Sequence, residues 1–122
     1  MIIWLASYPK SGNTYVRAFL SAYYFSKNGQ FDFNQISNIK QFPHEQFLKK
    51  KVNSISEASK QWMPIQKEIN KDKKIRFFKT HSFLGNYQGN EFTSPETTLG
   101  AIYIVRDPRN VLTSLKNHYS FE

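Results

Sequence analysis

Apolar and polar residues alternate in blocks along the chain, and the period of the pattern changes from block to block. Ile2, Ile3, Trp4, Leu5 and Ala6 form a continuous apolar run of strand length. After Pro9 and Gly12 the spacing lengthens. Val16, Phe19, Leu20, Tyr23 and Tyr24 recur at helical intervals, which predicts a helix from about Asn13 to Ser26, stopped at Asn28-Gly29. Residues 27–74 are richer in Gln, Asn and Lys, with apolar residues scattered among them. Within them Ser54 and Glu57 have the spacing of a capping box. Ile55, Ala58, Trp62, Ile65 and Ile69 then step by three and four, so an amphipathic helix is expected, kinked or split by Pro64. Ile75-Arg76-Phe77-Phe78-Lys79 reads as a second strand and Ala101-Ile102-Tyr103-Ile104-Val105 as a third. A breaker-rich loop, 85–100, lies between them. Asp107 and Pro108 open a last helix, with Val111, Leu112, Leu115 and Tyr119 as its inner face.

Strands alternating with helices, two of them nearly all apolar, predict an α/β fold with a parallel sheet covered on both faces. Phe77, Phe78 and Tyr103 then read as core. Ligands of such sheets sit at the carboxyl ends of the strands, and each expected strand ends in a polar cluster. The first is Tyr8-Pro9-Lys10-Ser11-Gly12-Asn13-Thr14-Tyr15. Here a strand feeds a Gly-containing loop and a helix start, whose N–H groups have no intrahelical partner and whose dipole end is positive. Lys10 adds a full charge, and Ser11, Asn13 and Thr14 add neutral donors. Lys79-Thr80-His81-Ser82 is the second cluster, and Arg106-Asp107-Pro108-Arg109 the third.

The charge balance agrees with an anionic ligand. Seventeen Lys and Arg face nine Asp and Glu, a net charge of +8. Lys49-Lys50-Lys51 and Lys71-Asp72-Lys73-Lys74 read as solvated faces; no aromatic platform is interleaved with them, so nucleic acid is not the expected partner. His44 reads as a surface residue and His118 as a surface or packing residue. The chain has no cysteine, which removes disulfides and thiolate metal sites and suits a reducing compartment. No apolar run approaches the roughly 20 residues of a membrane span, and the N-terminus lacks a signal-peptide pattern. Met1 reads as a true start, and no internal repeat is present.

Two nucleotide-binding patterns compete for the first loop. A Walker A motif needs a Gly, four residues and then Gly-Lys-Ser/Thr, whereas Lys10 precedes Gly12 here. The order instead resembles YPKSGTTW, the 5′-phosphosulfate loop of the sulfotransferases, with Asn13 for a threonine and Tyr15 for the tryptophan. Lys79-Thr80-His81 resembles the KTH element of the cytosolic members. Arg106 to Ser114 (RDPRNVLTS) resembles their 3′-phosphate stretch, RxPxxVxxS. The resemblance implies a P-loop NTPase-like sulfotransferase fold and 3′-phosphoadenosine 5′-phosphosulfate (PAPS) as donor, with no metal. It implies that Lys10, Ser11, Gly12, Asn13, Thr14 and Tyr15 hold the 5′ group, and Arg106 and Ser114 the 3′-phosphate. Catalysis would fall to Lys10, Lys79 and His81: Lys10 at the leaving oxygen, Lys79 at the sulfuryl oxygens, His81 as base toward an acceptor hydroxyl or amine. Taken singly, His81 also fits a structural histidine bonded to loop backbone, Arg106 a partner of Asp107, and Ser114 a solvated helix residue.

One departure stands out. The family's RKGxxGDWK segment, which completes the donor site, has no counterpart among the 122 residues. The resemblance therefore predicts the N-terminal portion of one sulfotransferase domain (1–122, with 27–74 a variable helical insert), an incomplete sheet with an exposed edge strand, and little activity alone. A cytoplasmic location is the matching expectation. The rivals are a P-loop-like nucleotide kinase and a non-enzymatic basic module binding nucleotide or nucleic acid. The acceptor, whether small molecule, lipid or sugar, is not written in the motifs; 27–74 and 83–100 are where its specificity would lie.

Overall fold

A computed structural model describes residues 1–48 and 52–119, so the Lys49-Lys50-Lys51 run lies outside the described residues. Four parallel strands form one sheet in the order β2-β3-β1-β6. They are β1 (Ile2–Ser7), β2 (Lys40–Gln41), β3 (Arg76–Thr80) and β6 (Thr98–Ile104). Between β3 and β6 a short antiparallel hairpin pairs β4 (Asn86–Tyr87) with β5 (Asn90–Glu91). The helices are α1 (Asn13–Phe25), α2 (Ile55–Ser59), α3 (Trp62–Ile69) and α4 (Pro108–Tyr119), with short 3-10 turns at Phe33–Asn38, Glu45–Phe47 and Asn70–Asp72. The strand–helix alternation thus does produce a parallel α/β sheet, with the apolar run Ile2–Ala6 at its centre.

Side chains alternate across a strand, and this sorts β1 and β3 between two layers. Ile2, Trp4 and Phe78 enter a buried aromatic cluster with Phe42, Trp62, Ile65 and Phe92. Trp4 meets the rings of Phe42, Phe78 and Phe92 at centroid distances of 5.7, 6.1 and 5.2 Å. Phe77 points the other way, toward Tyr24 of α1, at 5.3 Å. The helix signalled by Ser54 is two pieces, one of the two forms expected, but the break is not at Pro64. The Ser54 hydroxyl accepts from Glu57 N–H, and the Glu57 carboxylate reaches back to Asn53 N–H. The break falls at Lys60-Gln61, which leaves Pro64 in the first turn of α3, where its missing N–H costs no helical bond.

Four expectations need correcting. First, most of the aromatic stripe of α1 is exposed, although Tyr24 still meets Phe77. Phe19, Tyr23 and Tyr24 are exposed, whereas Asn13 and Ser21 are buried, with Arg17 half-buried between them. A row of polar residues four apart faces inward: Asn13 donates to Leu5 carbonyl and Ser7 Oγ and Arg17 to the carbonyls of Ile36 and Ile39 (3.1 and 2.7 Å), while Ser21 Oγ is buried with no partner among the described residues. Second, β6 starts at Thr98, three residues before the apolar run, and Ile75 lies outside β3. Ile2 pairs with Thr98 and Ile3 with Gly100, so Leu99 is a bulge. Third, the sheet is not covered on both faces throughout, because β6, an edge strand, is exposed along much of its length. Tyr103, expected in the core, is 70% exposed. Fourth, only Val111 of the expected inner face of α4 is buried, with Ser114 and Leu115 half-buried; Leu112 and Tyr119 are exposed.

Gln66 shows what the apolar pattern hides. It is fully buried, donates to Phe92 carbonyl (2.6 Å) and accepts from the hydroxyls of Thr93 and Thr97 (2.7 and 2.9 Å). These bonds fix the segment that delivers β6 to β1. Replacing Gln66 by methionine, similar in volume, leaves buried polar groups without partners and should lower unfolding free energy by about 1–3 kcal/mol. Urea denaturation checks this; an unchanged midpoint would mean that the network contributes nothing.

Candidate active site

The carboxyl end of β1 turns sharply into α1. Lys10 and Gly12 both hold left-handed backbone, with φ of 65° and 103°. Gly12 is the N-cap, and no side chain caps the helix. The first helical bond runs from Val16 N–H to Gly12 carbonyl (3.2 Å), so the N–H groups of Asn13, Thr14 and Tyr15 have no intrahelical acceptor. The result is an open, positively polarised helix end next to a half-buried lysine. A Cβ built on Gly12 has nothing within 4 Å, so only the backbone resists a side chain there. Gly12→Ala should therefore destabilise by about 1–2 kcal/mol, readable as a lowered urea midpoint. No loss would show that the loop relaxes at no cost.

Both other clusters are tied to this turn. Arg106 Nη1 donates to Lys10 carbonyl (3.1 Å) across 96 residues of sequence. Arg106 is free to do so because Asp107 is engaged elsewhere. The Asp107 carboxylate caps α4 by accepting from Arg109 N–H (2.9 Å) and pairs with the Arg109 guanidinium (2.7 Å). That guanidinium holds the Asp107 carboxyl below the usual carboxylate range. The loop Tyr8–Ser11, the end of β6 and the start of α4 enclose a cavity of about 410 Å³, lined among others by Tyr8, Ser11, Arg106, Val111 and Leu115. A larger cavity, about 890 Å³, is lined by Ile3, Ile75 and Arg76 from the opposite, amino end of the strands and touches none of the three clusters.

His81, just past β3, docks on the end of β1. Its Nδ1 lies 2.7 Å from Ser7 carbonyl and 3.3 Å from Ser7 Oγ. A carbonyl oxygen only accepts, so the proton is on Nδ1, and Nε2 keeps its lone pair. Among the described residues nothing bonds to Nε2. Partial burial pushes the His81 pKa below its ordinary 6.5 and the charge of Lys79 adds to this, while the bond to Ser7 opposes it. Lys79, half-buried on the α1 side of β3, is itself pushed down by burial and by the charge of Arg17.

The sequence-expected residues therefore divide. Lys10 and Arg106 meet directly, and His81 meets the same strand end. Ser11 is buried in the turn, whereas Thr14 and Tyr15 are exposed. Ser114 is half-buried on the Val111 side of α4 and forms no hydrogen bond to a described residue. The Asn13 side chain is occupied: its amide donates to Leu5 carbonyl (2.9 Å) and Ser7 Oγ (3.1 Å). Ser7 and Arg17 were not singled out from the sequence. Ser7 was readable only as the residue closing the β1 run, and Arg17 only as the charged member of a mostly apolar helix.

The fold is a parallel α/β sheet with an uncapped, lysine-bearing turn after its central strand. The sulfotransferase domain family matches residues 2–121, and the chain belongs to that family, whose chemistry is sulfuryl transfer. The comparison with curated proteins gave no match. Among the described residues, no helix is long and apolar enough to cross a membrane, and no three of His, Cys, Asp and Glu gather as a metal-binding group.

Proposed function

We propose that this chain carries the donor loop and the base of a PAPS-dependent sulfotransferase acting on a hydroxyl or amine. The observation that carries the reading is the pair of long-range bonds, Arg106 to Lys10 carbonyl and His81 to Ser7 carbonyl, which draws three distant clusters to one rim. The donor, when bound, supplies an activated sulfuryl group on a phosphate leaving group. The residues fit such an anion: free N–H groups at an uncapped helix end, the Lys10 ammonium, and the Arg106 fork beside them. Lys10 would balance charge where the leaving oxygen develops it. Ser11, Gly12, Thr14 and Tyr15 would contribute backbone or hydroxyl donors, and Arg106 with Ser114 would take the 3′-phosphate. His81 Nε2 would accept the acceptor's proton, and Lys79 would face the sulfuryl oxygens. The acceptor is a small molecule, a lipid or a sugar, recognised through 27–74 and 83–100, and the setting is the cytoplasm.

Because the chain lacks a Gly-rich segment of the family type, we expect weak donor binding from these residues alone. Calorimetry with the desulfonated product, 3′-phosphoadenosine 5′-phosphate (PAP), against ATP with magnesium tests the reading. PAP should bind more tightly, and Lys10→Ala and Arg106→Ala should each weaken it. Tighter magnesium-dependent ATP binding would favour a kinase instead. Binding of both only as generic polyanions, with a steep salt slope, would favour a basic binding module.

A further inference from the structure

We infer that the Asn13 side chain is a positioning residue for His81, joining the start of α1 to the docking point of the imidazole, rather than a ligand for the donor's phosphate. This rests on the base role proposed for His81. Asn13 is buried, and its amide nitrogen spends both protons inside the protein, one on Leu5 carbonyl at 2.9 Å and one on Ser7 Oγ at 3.1 Å. Its amide oxygen is buried with no partner, so it offers nothing to an anion. Only the backbone N–H of Asn13 belongs to the open helix end. The two acceptors of its amide belong to Leu5 and Ser7 at the end of β1, and Ser7 is where His81 sits. Ser7 Oγ accepts from Asn13 and lies 3.3 Å from His81 Nδ1, while Ser7 carbonyl takes the Nδ1 proton at 2.7 Å. The residue at the head of the anion-accepting helix thus sets the position of the strand end that holds the base. The charged groups near this network are Lys79 on β3, which acts on His81, and Arg17 on α1, which acts on Lys79.

The geometry separates this role from the ligand role by measurement. Removing a ligand weakens donor binding. Removing the clamp leaves the backbone N–H groups in place and disturbs the imidazole. In Asn13→Ala, PAP affinity should stay within roughly twofold of wild type while transfer falls by roughly tenfold or more, since a displaced base forfeits part of its 10²–10⁴ contribution. Long-range ¹H–¹⁵N spectra should show His81 of the wild type protonated on Nδ1 alone when neutral, and in Asn13→Ala a changed His81 pKa or a mixture of tautomers. Ser7→Ala, which keeps the Asn13–Leu5 bond, should move the same signals if Asn13→Ala does not fold, and Ser7→Thr should restore them. Three results overturn the inference: a tenfold loss of PAP affinity with unchanged turnover, a wild-type proton on Nε2, or His81 signals unmoved in both variants. Unchanged transfer in His81→Ala would instead refute the base role, and the binding and spectral measurements would still decide the clamp.

Discussion

Replacing His81 by alanine should lower sulfuryl transfer by about 10²–10⁴-fold, the usual contribution of a positioned general base, with PAP affinity little changed. The argument is stereochemical. Nδ1 is committed to Ser7 carbonyl at 2.7 Å, so the only basic position left on the ring is Nε2. Its pKa lies below 6.5 because burial and Lys79 both disfavour the imidazolium, outweighing the Ser7 bond. At neutral pH the ring is therefore in the form a base requires. The rate should fall as pH drops through the folded-state pKa, placing the acid limb of kcat/KM below 6.5, and His81→Ala should abolish that limb. The same shift bears on stability. The unfolded chain binds the proton more readily, so the neutral ring's contribution is present above pH 6.5 and is lost as pH falls through the folded pKa. A pH profile whose acid limb lies above 6.5, or persists in His81→Ala, would assign the limb to another group.

Much of this site could be read before any coordinates. The continuous run Ile2–Ala6 made a central strand, the lysine and glycine after it made a turn, and the polar clusters at Lys79–Ser82 and Arg106–Arg109 fell at strand ends as a parallel sheet requires. What stayed hidden was direction. The period of α1 marks only a helical stripe from Val16 to Tyr24; the inward turn of Asn13 and Arg17 rests on bonds to Leu5, Ser7, Ile36 and Ile39, which periodicity does not register. β2 was missed for a related reason: Lys40 and Gln41 carry no apolar signal, and the strand is held by Phe42 beneath it and by Arg17 on the Ile39 carbonyl. The hairpin β4–β5 was read as loop because its strands are two residues each, although Gln88 and Gly89, with φ of 51° and 83°, supply the paired left-handed turn that a tight hairpin needs. Asn13 was assigned by position in a motif, where hydrogen bonding gives its side chain other work.

Lys10→Ala should remove the second large share of the activity: about 10²–10³-fold in transfer, as for the loss of one group that stabilises developing charge. PAP affinity should weaken by roughly 10–100-fold, as expected for a charge-assisted contact worth about 1.5–3 kcal/mol. The variant is unusually clean, because Arg106 holds this residue by its backbone carbonyl and not by its side chain. Truncation therefore subtracts the ammonium and leaves the link between loop and third cluster intact. The backbone offers a second handle. Lys10 sits at φ 65°, a conformation that L-residues other than glycine adopt at a cost. Lys10→Gly should lose as much binding as Lys10→Ala but unfold at higher urea, by up to about 1 kcal/mol. Function and stability then move in opposite directions at one position, the sign expected where strain is held for the sake of a site. If Lys10→Gly is no more stable than wild type, the strain argument fails. If Lys10→Ala binds PAP as wild type does, the anion is not held at this helix end, and the turn after β1 is only a connection.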